Sequence, residues 1–409
     1  MQSDMFRTTH TPRLAPVLIA SGIILSLAMG VRHGFGFWLQ PISQQHDWTR
    51  ETFSLAMAVQ NLTWGAVGPF SGMAADRFGA ARVVFFGALI YMAGLLCMAL
   101  VDDPTAFALS SGLLIGTGLA CTAFGALSGI VGRTAPLAQR SWAFGVLGAA
   151  GSFGQFTMVP VEQQLISAAG WQGALYLLSV LVVVMMMPLA FMLREPAPEA
   201  HAAGAHQSVG DAIREAFSYR PFQLLVAGYF VCGFHVVFIG VHLPSYLKDQ
   251  GIVDPKVAVI ALALIGLFNI FGSLLAGKLG GRLRKPRLLS AIYFTRAVII
   301  AAFVFAPLSP QSVYLFAAAM GLLWLSTVPL TNGVIAGMFG VRHLSMLAGF
   351  VFFSHQLGSV LGVWLGGYLF TLEGSYHTVW MITIGLGVIA GLLNLPISEA
   401  PVTRVQAAA

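Results

Sequence analysis

Charged residues are scarce in this sequence: only 9% of its 409 residues are Asp, Glu, Lys or Arg, and 57% are hydrophobic. A soluble domain carries roughly 25% charged residues. The apolar runs are about 20 residues or longer, which is the length of a helix that crosses a bilayer. With a mean hydropathy of +0.82, the composition excludes a soluble globular protein and predicts an all-α polytopic membrane protein. A membrane β-barrel would need short alternating segments instead.

Cysteine is also rare, and the three cysteines, Cys97, Cys121 and Cys232, all lie inside apolar runs. They show no disulfide or metal-ligand spacing. The sequence contains no Gly-x-x-x-x-Gly-Lys-Ser/Thr loop, which excludes ATP hydrolysis by this chain. No catalytic triad is recognisable. We therefore expect no enzymatic activity, no cofactor and no metal.

The apolar runs predict twelve transmembrane helices. Of the 21 Lys and Arg residues, 16 fall in loops on one side, three on the other and two within spans. This asymmetry predicts cytoplasmic termini and explains the net positive charge without nucleic-acid binding. We expect an integral protein of a bacterial cytoplasmic membrane. The predicted spans are 14–41, 52–73, 82–101, 106–131, 141–166, 172–193, 221–247, 257–279, 287–307, 312–338, 344–370 and 376–397.

Three segments recur about half a chain later. Near-constant spacing indicates an internal duplication, which in a membrane chain predicts two like halves around a central site. We expect six-helix bundles at 1–194 and 221–409, joined by a polar cytoplasmic linker at 195–220. The repeated pairs are Gly30–Pro41 with Gly233–Pro244, Gly72 with Gly277 and Gly145 with Gly349, at offsets of 203, 205 and 204 residues.

The segment from Gly72 to Arg82 follows the pattern Gly-x-x-x-Asp-Arg-x-Gly-x-x-Arg. It resembles the loop signature of the major facilitator superfamily, which implies two pseudo-symmetric six-helix bundles. The resemblance also implies that the motif is conformational, with Asp76 meeting the start of span eleven to close the cytoplasmic side. The motif residues are Gly72, Asp76, Arg77, Gly79 and Arg82.

Two further segments, Arg32–Pro41 and Trp324–Thr331, resemble bacterial relatives of monocarboxylate transporters and of the oxalate–formate antiporter. Monocarboxylate transporters carry Asp-x-x-x-Arg in the eighth helix, a pair tied to proton coupling and anion binding. Here those positions hold Asn269 and Ser273. This route of proton coupling is therefore not expected.

Polar side chains in the spans are candidates for a substrate site, because a polar group that faces lipid is costly. Hydrogen bonds between helices are the alternative role for each of them. The duplication aligns Arg32 with His235, so the two could flank one site from opposite halves. The predicted substrate-binding residues are Arg32, His33, Gln60, Asn61, Gln155, His235, Asn269, Arg296, Asn332, His355 and Gln356.

All 15 acidic residues lie in loops or near span ends, with Glu162 the deepest. Proton relays in membranes usually use Asp or Glu and sometimes His. Any coupled proton would therefore travel on histidine, with His235 and His355 the main candidates, or on the substrate. Arg32 and Arg296 leave the interior positively charged, and a substrate carboxylate would neutralise such a cation.

These observations predict a secondary transporter of small organic anions, most of all monocarboxylates, working as a proton symporter or an anion exchanger. Proton-coupled multidrug efflux is the alternative. Arg32 argues against it, because a cavity for lipophilic drugs should lack a fixed cation. The expected partners are the anion, protons or a counter-anion and the lipid bilayer, and we expect a monomer.

Overall fold

The computed structural model describes residues 14–48, 50–193 and 207–402, and within these ranges the chain is helical and contains no strand. Twelve helices cross the bundle and are numbered in chain order. They are α1 (Leu14–His33), α2 (Arg50–Phe78), α3 (Ala80–Leu100), α4 (Pro104–Thr134), α5 (140–169), α6 (171–192), α7 (Arg220–Asp249), α8 (Pro255–Gly280), α9 (Lys285–Phe305), α10 (Pro310–Phe339), α11 (Leu344–Glu373) and α12 (His377–Asn394).

Ten segments of the described chain are long and apolar enough to cross a membrane by length and composition. One of them contains both α5 and α6, which are the two arms of Arg140–Met192 on either side of Gly170. Gly170 has φ 69°, a left-handed conformation that suits glycine. The more polar α2 completes the twelve spans, so the predicted fold class is confirmed.

Two stretches of backbone depart from regular α-helix next to crossing helices. After α1 the chain forms a 3-10 turn, Gly34–Phe37, and the short helix Leu39–His46. In α10 the helical arms Pro310–Leu323 and Thr327–Phe339 are separated by a break. Non-helical backbone at membrane depth is tolerated where protein or a cavity surrounds it.

A short helix, Val209–Ser218, lies in the segment predicted as a linker at 195–220. The linker residues before 207 lie outside the described residues. The side chain of Ser208 caps the helix by accepting a hydrogen bond from the Asp211 N–H at 3.1 Å. Phe217 then packs edge-on against Phe222 and Phe350. The connecting segment is therefore attached to α7 and α11 at this end of the bundle.

Equivalent helices make equivalent contacts in the two halves, α1–α6 and α7–α12. Within the halves α1 packs on α5 and α7 packs on α11, while α2 contacts α11 and α5 contacts α8 across the halves. The cross-half contacts are close because glycine lines them. A Cβ added at Gly277 would lie 2.7 Å from the Cα of Gly145, and one added at Gly349 would lie 2.7 Å from the backbone of Gly68.

Candidate substrate-binding site

A cavity of about 1030 Å³ lies between the two halves. Eight crossing helices line it: α1, α2, α4 and α5 from one half and α7, α8, α10 and α11 from the other. Most of the lining is apolar and aromatic. Its side chains with donors or acceptors include Arg32, His33, Asn61, Gln155, Thr157, Thr331, Asn332, His355 and Gln356. Seven of the eleven predicted site residues are therefore brought together.

Arg32 lies in the last turn of α1 and carries the only fixed charge among the described lining residues. Its Nη2 donates to Oδ1 of Asn61 at 2.7 Å. Asn61 is oriented in turn by a hydrogen bond from its Nδ2 to the carbonyl of Met57 at 3.1 Å. No described residue accepts a hydrogen bond from Nε of Arg32. Asn61 thus positions the guanidinium through Nη2, while Nε is a donor without an acceptor among the described residues.

A hydrogen-bond network joins Arg32 to the other half. Gln356 of α11 donates from Nε2 to the carbonyl of Asn61 at 3.0 Å. His355 Nδ1 lies 3.1 Å from Oε1 of Gln356 and must donate, because an amide oxygen only accepts. The imidazole stacks on Phe352, with ring centroids 5.4 Å apart. The network therefore spans three helices from both halves and ends at a rigidly held histidine.

Of the remaining predicted lining residues, His33 and Asn332 already make hydrogen bonds within the protein. His33 Nδ1 donates to the carbonyl of Met29 at 2.6 Å, which leaves Nε2 as its second polar atom. Asn332 donates to Oγ of Ser128 at 2.9 Å and so links α10 to α4 across the halves. Gln155 lies on the α5 wall.

Four predicted residues, Gln60, His235, Asn269 and Arg296, are not part of the lining. Each is completely buried and bonded to a neighbouring helix. Gln60 donates to the carbonyl of Ser111, in a π-helical turn of α4, at 2.8 Å. His235 Nε2 donates to the carbonyl of Thr383 in α12 at 2.9 Å. The structure therefore does not bring Arg32 and His235 together, because His235 faces α12.

Arg296 and Asn269 both hold the break in α10. Arg296 Nη2 donates to the carbonyls of Leu323 and Trp324, each at 2.5 Å. Asn269 Oδ1 accepts from the Leu325 N–H at 2.9 Å, while its Nδ2 donates to Ser152 of α5 at 2.7 Å. Trp324 and Leu325 line the cavity. These two buried side chains consequently position a cavity wall that they do not themselves form.

The sequence reasoning missed several lining residues. Thr157 follows Gln155 closely in α5, and Thr331 adjoins Asn332, so both could have been found as neighbours of predicted residues. Trp324 begins a segment that the sequence comparison had singled out, whereas Tyr229 gave no signal, because an aromatic residue in an apolar run is ordinarily a packing residue. Glu162, the deepest of the acidic residues, is fully buried on α5 outside the lining, and its Oε2 accepts from Trp38 Nε1 at 3.2 Å.

The end of the bundle at the Gly72–Arg82 segment, here called the motif end, is closed. Asp76 accepts hydrogen bonds from the N–H groups of Ser345 and Met346, at 3.4 and 2.9 Å, at the start of α11. It also pairs with Arg133 Nη1 at 2.7 Å. A carboxylate is favourable at a helix N-terminus, where N–H groups lack helical partners. Gly79 has φ 90° at the turn into α3, which explains the glycine.

The other motif residues contribute less to this closure. Gly72 lies against the backbone of Ser345 and Met346, so a larger residue would separate α2 from α11. The Arg77 guanidinium lies over the Phe78 ring, 5.1 Å from its centroid. Arg82 is exposed and its Nη1 lies 3.5 Å from the Phe78 carbonyl.

Replacing Asp76 with Asn should shift the protein away from the state closed at the motif end. The amide side chain would lack the charge that attracts both Arg133 and the α11 N-terminus. Hydrogen bonds to charged groups contribute roughly 1.5–3 kcal/mol, so the closed fraction should fall about tenfold relative to the other state. Labelling of single cysteines introduced at each end measures the shift. Asp249→Asn, which alters an exposed acid at the opposite end, is the control, and equal labelling in both variants would contradict the prediction.

In the part of the chain that the structure describes, twelve crossing helices in two repeated halves surround a central cavity with one fixed charge, which is the architecture of a membrane transporter. Comparison with known families agrees, since the model of the Major Facilitator Superfamily matches residues 18–336. The chain belongs to this superfamily.

Relatives and solved structures extend the comparison over nearly the whole chain. An uncharacterized MFS-type transporter of Bacillus subtilis, YcxA, is 25% identical, with 94% of this chain and 96% of that protein aligned. Monocarboxylate transporter 13 of Bos taurus is also 25% identical, with 95% of this chain and 92% of that protein aligned. The structure of the fucose:proton symporter FucP of E. coli has a TM-score of 0.75, covering 94% of this chain and 98% of that chain. At 14% identity, this likeness shows the fold alone.

Proposed function

We propose that this chain is a secondary transporter of small organic anions, monocarboxylates foremost, and that it works by alternating access. Arg32 is the observation that carries the proposal. It holds the only fixed charge among the described lining residues, and its Nε has no partner in the described chain. A buried cation without a counter-charge is costly, and a carboxylate fits the fork of a guanidinium. The likeness to monocarboxylate transporters supports the same substrate class.

Coupling to protons or exchange against a second anion would supply the driving force, since the sequence contains no Gly-x-x-x-x-Gly-Lys-Ser/Thr loop. We further propose that the protein lies in a bacterial cytoplasmic membrane with both termini in the cytoplasm. The asymmetry of the Lys and Arg residues supports this orientation. The motif end would then be the cytoplasmic end, and the state described here would be closed to the cytoplasm.

Efflux of lipophilic drugs is a second candidate function. The size of the cavity favours it, because about 1030 Å³ is larger than a monocarboxylate needs. The aromatic lining favours it as well, with Trp64, Phe124, Phe156 and Phe352 all contributing. Arg32 opposes it, because a fixed cation repels the cationic drugs that such transporters commonly carry.

Transport by the purified protein in liposomes distinguishes the two candidates. The panel consists of labelled acetate, pyruvate, L-lactate and benzoate, with tetraphenylphosphonium as a lipophilic cation. We expect saturable uptake of at least one carboxylate, absent from protein-free liposomes, and no protein-dependent uptake of the cation. Uptake of tetraphenylphosphonium without any carboxylate would overturn the anion proposal in favour of efflux.

A further inference from the structure

The walls of the central cavity carry more aromatic rings than the chain as a whole. Six of the 31 described lining residues are Phe, Trp or Tyr, whereas these residue types make up 11% of the sequence. Pockets of roughly 300–1,000 Å³ enclose drug-sized ligands, and this cavity measures about 1030 Å³. A short-chain acid would leave most of this apolar surface in contact with water. The aromatic lining residues are Trp64, Phe124, Phe156, Tyr229, Trp324 and Phe352.

Two of these rings meet between the halves. Trp64 on α2 and Phe352 on α11 have ring centroids 4.7 Å apart. Phe352 also stacks on the imidazole of His355, whose centroid lies 5.3 Å from that of Tyr229 on α7. The rings therefore form a continuous surface that runs from α2 through α11 to α7.

The Trp64–Phe352 pair lies one helical turn closer to the motif end than the polar network at Arg32. On α2, which ends at the motif, Trp64 follows Asn61 by three residues. On α11, which begins at the motif end, Phe352 precedes Gln356 by four residues. Residues at these spacings share a face of a helix, and one turn is about 5.4 Å long. The rings and the guanidinium therefore border adjacent parts of the cavity.

The same pair of rings closes the cavity toward the motif end and is here called the aromatic floor, Trp64 and Phe352. Beyond it, both rings and Phe124 line a small hollow bordered by Gly68 and Gly349. A Cβ added at Gly349 would lie 2.7 Å from the backbone of Gly68, so α2 and α11 touch directly below the floor. A ligand held at Arg32 therefore faces aromatic rings on its motif-end side.

The charges of the lining limit the ligand further. Arg32 carries the only fixed charge among the described lining residues, and none of these residues is acidic. A carboxylate bound at Arg32 holds its α-carbon close to the guanidinium. An α-ammonium group would be repelled there, and no carboxylate of the described lining would offset the repulsion. The lining therefore favours an acid without an amino group.

We propose that the substrate is an aromatic monocarboxylate without an amino group, an inference that rests on the proposed anion transport. Its carboxylate is bound by Arg32 and its ring packs on the aromatic floor. The ring gains from burial of apolar surface and from offset or edge-on stacking, which adds to burial in aromatic pairs. A spacer of about two carbon atoms between ring and carboxyl group suits a separation of one helical turn, about 5.4 Å.

A matched set of compounds separates the ring, the charge and the amino group. The set consists of 3-phenylpropionate, propionate, L-phenylalanine and 3-phenylpropionamide, and Kd is measured for each on the purified full-length protein. We expect 3-phenylpropionate to bind tighter than propionate by roughly tenfold or more, because it buries a ring. The amino acid and the uncharged amide should each bind more weakly than 3-phenylpropionate, by roughly tenfold or more.

Trp64→Leu removes one ring of the floor and keeps an apolar side chain. It should weaken binding of 3-phenylpropionate by roughly three- to tenfold and leave that of propionate unchanged. Binding of 3-cyclohexylpropionate, which has the bulk but not the aromatic ring, should be weakened less. Trp364→Leu is the matched control, because Trp364 is 57% exposed on α11 and lies outside the lining, and it should bind all three acids as the wild type does.

The wild-type series alone can overturn the proposal. Equal Kd values for propionate and 3-phenylpropionate, or L-phenylalanine bound as tightly as 3-phenylpropionate, would do so, as would equal losses for the phenyl and cyclohexyl acids in Trp64→Leu. Uptake of short carboxylates into liposomes together with equal Kd values would leave anion transport standing and overturn only the aromatic substrate. If the Kd values are as expected but no carboxylate enters liposomes, anion transport fails and the binding site for aromatic carboxylates stands.

Discussion

Arg32→Lys should weaken carboxylate binding by about tenfold, and Arg32→Ala should weaken it further. Lysine retains the charge but not the planar fork that presents two parallel N–H donors to a carboxylate. It also cannot donate to Asn61 Oδ1 and to the substrate with the same geometry, since Nη2 already makes a 2.7 Å bond to that oxygen. Loss of one hydrogen bond to a charged group corresponds to roughly 1.5–3 kcal/mol, or about tenfold or more in affinity.

Equilibrium binding on purified, folded protein measures this effect. The change in Kd is read for the carboxylate that gives the highest uptake in liposomes. Arg282→Lys is a matched control, because Arg282 is exposed at the motif end, remote from the cavity. If Arg32 only braces α1 against α2, Arg32→Lys would lower thermal stability and leave Kd unchanged. That outcome would remove Arg32 from the substrate site.

Arg296→Met should destabilise the fold on the order of 3 kcal/mol, because it deprives the buried carbonyls of Leu323 and Trp324 of their donor. Methionine fills a similar volume without supplying a donor. The Tyr293 ring, which lies 5.4 Å from the guanidinium carbon, would lose its cation as well. We expect a clear drop in the thermal unfolding midpoint and, in the surviving protein, altered transport from a displaced Trp324.

The control for this prediction lies on the same helix. Arg287 is exposed near the start of α9, so Arg287→Met should leave the midpoint almost unchanged. Equal midpoints for Arg296→Met and the wild type would show that the break in α10 does not depend on this donor.

Periodicity and composition predict the twelve spans and their repeat, because crossing a bilayer sets helix length and hydropathy directly. Depth in the membrane is likewise readable, and it brings Arg32, Asn61 and Gln356 into consideration together. The direction in which a side chain faces is a different matter. The crossing helices are apolar nearly all round, so a helical wheel does not distinguish the cavity side of α7 from its α12 side. His235 and Arg296 are therefore deep, polar and still outside the cavity.

Glu162 illustrates a second limit of sequence reasoning. Its position along the chain, near the predicted end of span five, indicates its depth but not what surrounds it. The covering residues, Trp38 and Gly34, come from a segment more than a hundred residues earlier. Burial by a remote segment cannot be read from a local pattern. The same holds for the Arg32–Asn61–Gln356 network, whose members are adjacent only after both halves have packed.

The glycine contacts between α5 and α8, and between α2 and α11, affect how fast and how reversibly the two halves can separate. Where two helix backbones meet without intervening side chains, no side chain has to change rotamer when the helices separate. The two helices of each pair can therefore separate and pack again in the same register in every transport cycle. A glycine-lined contact of this kind also buries little apolar surface, because glycine has no side chain. Reversing a two-state population from 1:99 to 99:1 needs about 5.5 kcal/mol of differential binding. A small ligand can supply much of this free energy only if separating the glycine-lined contacts costs little.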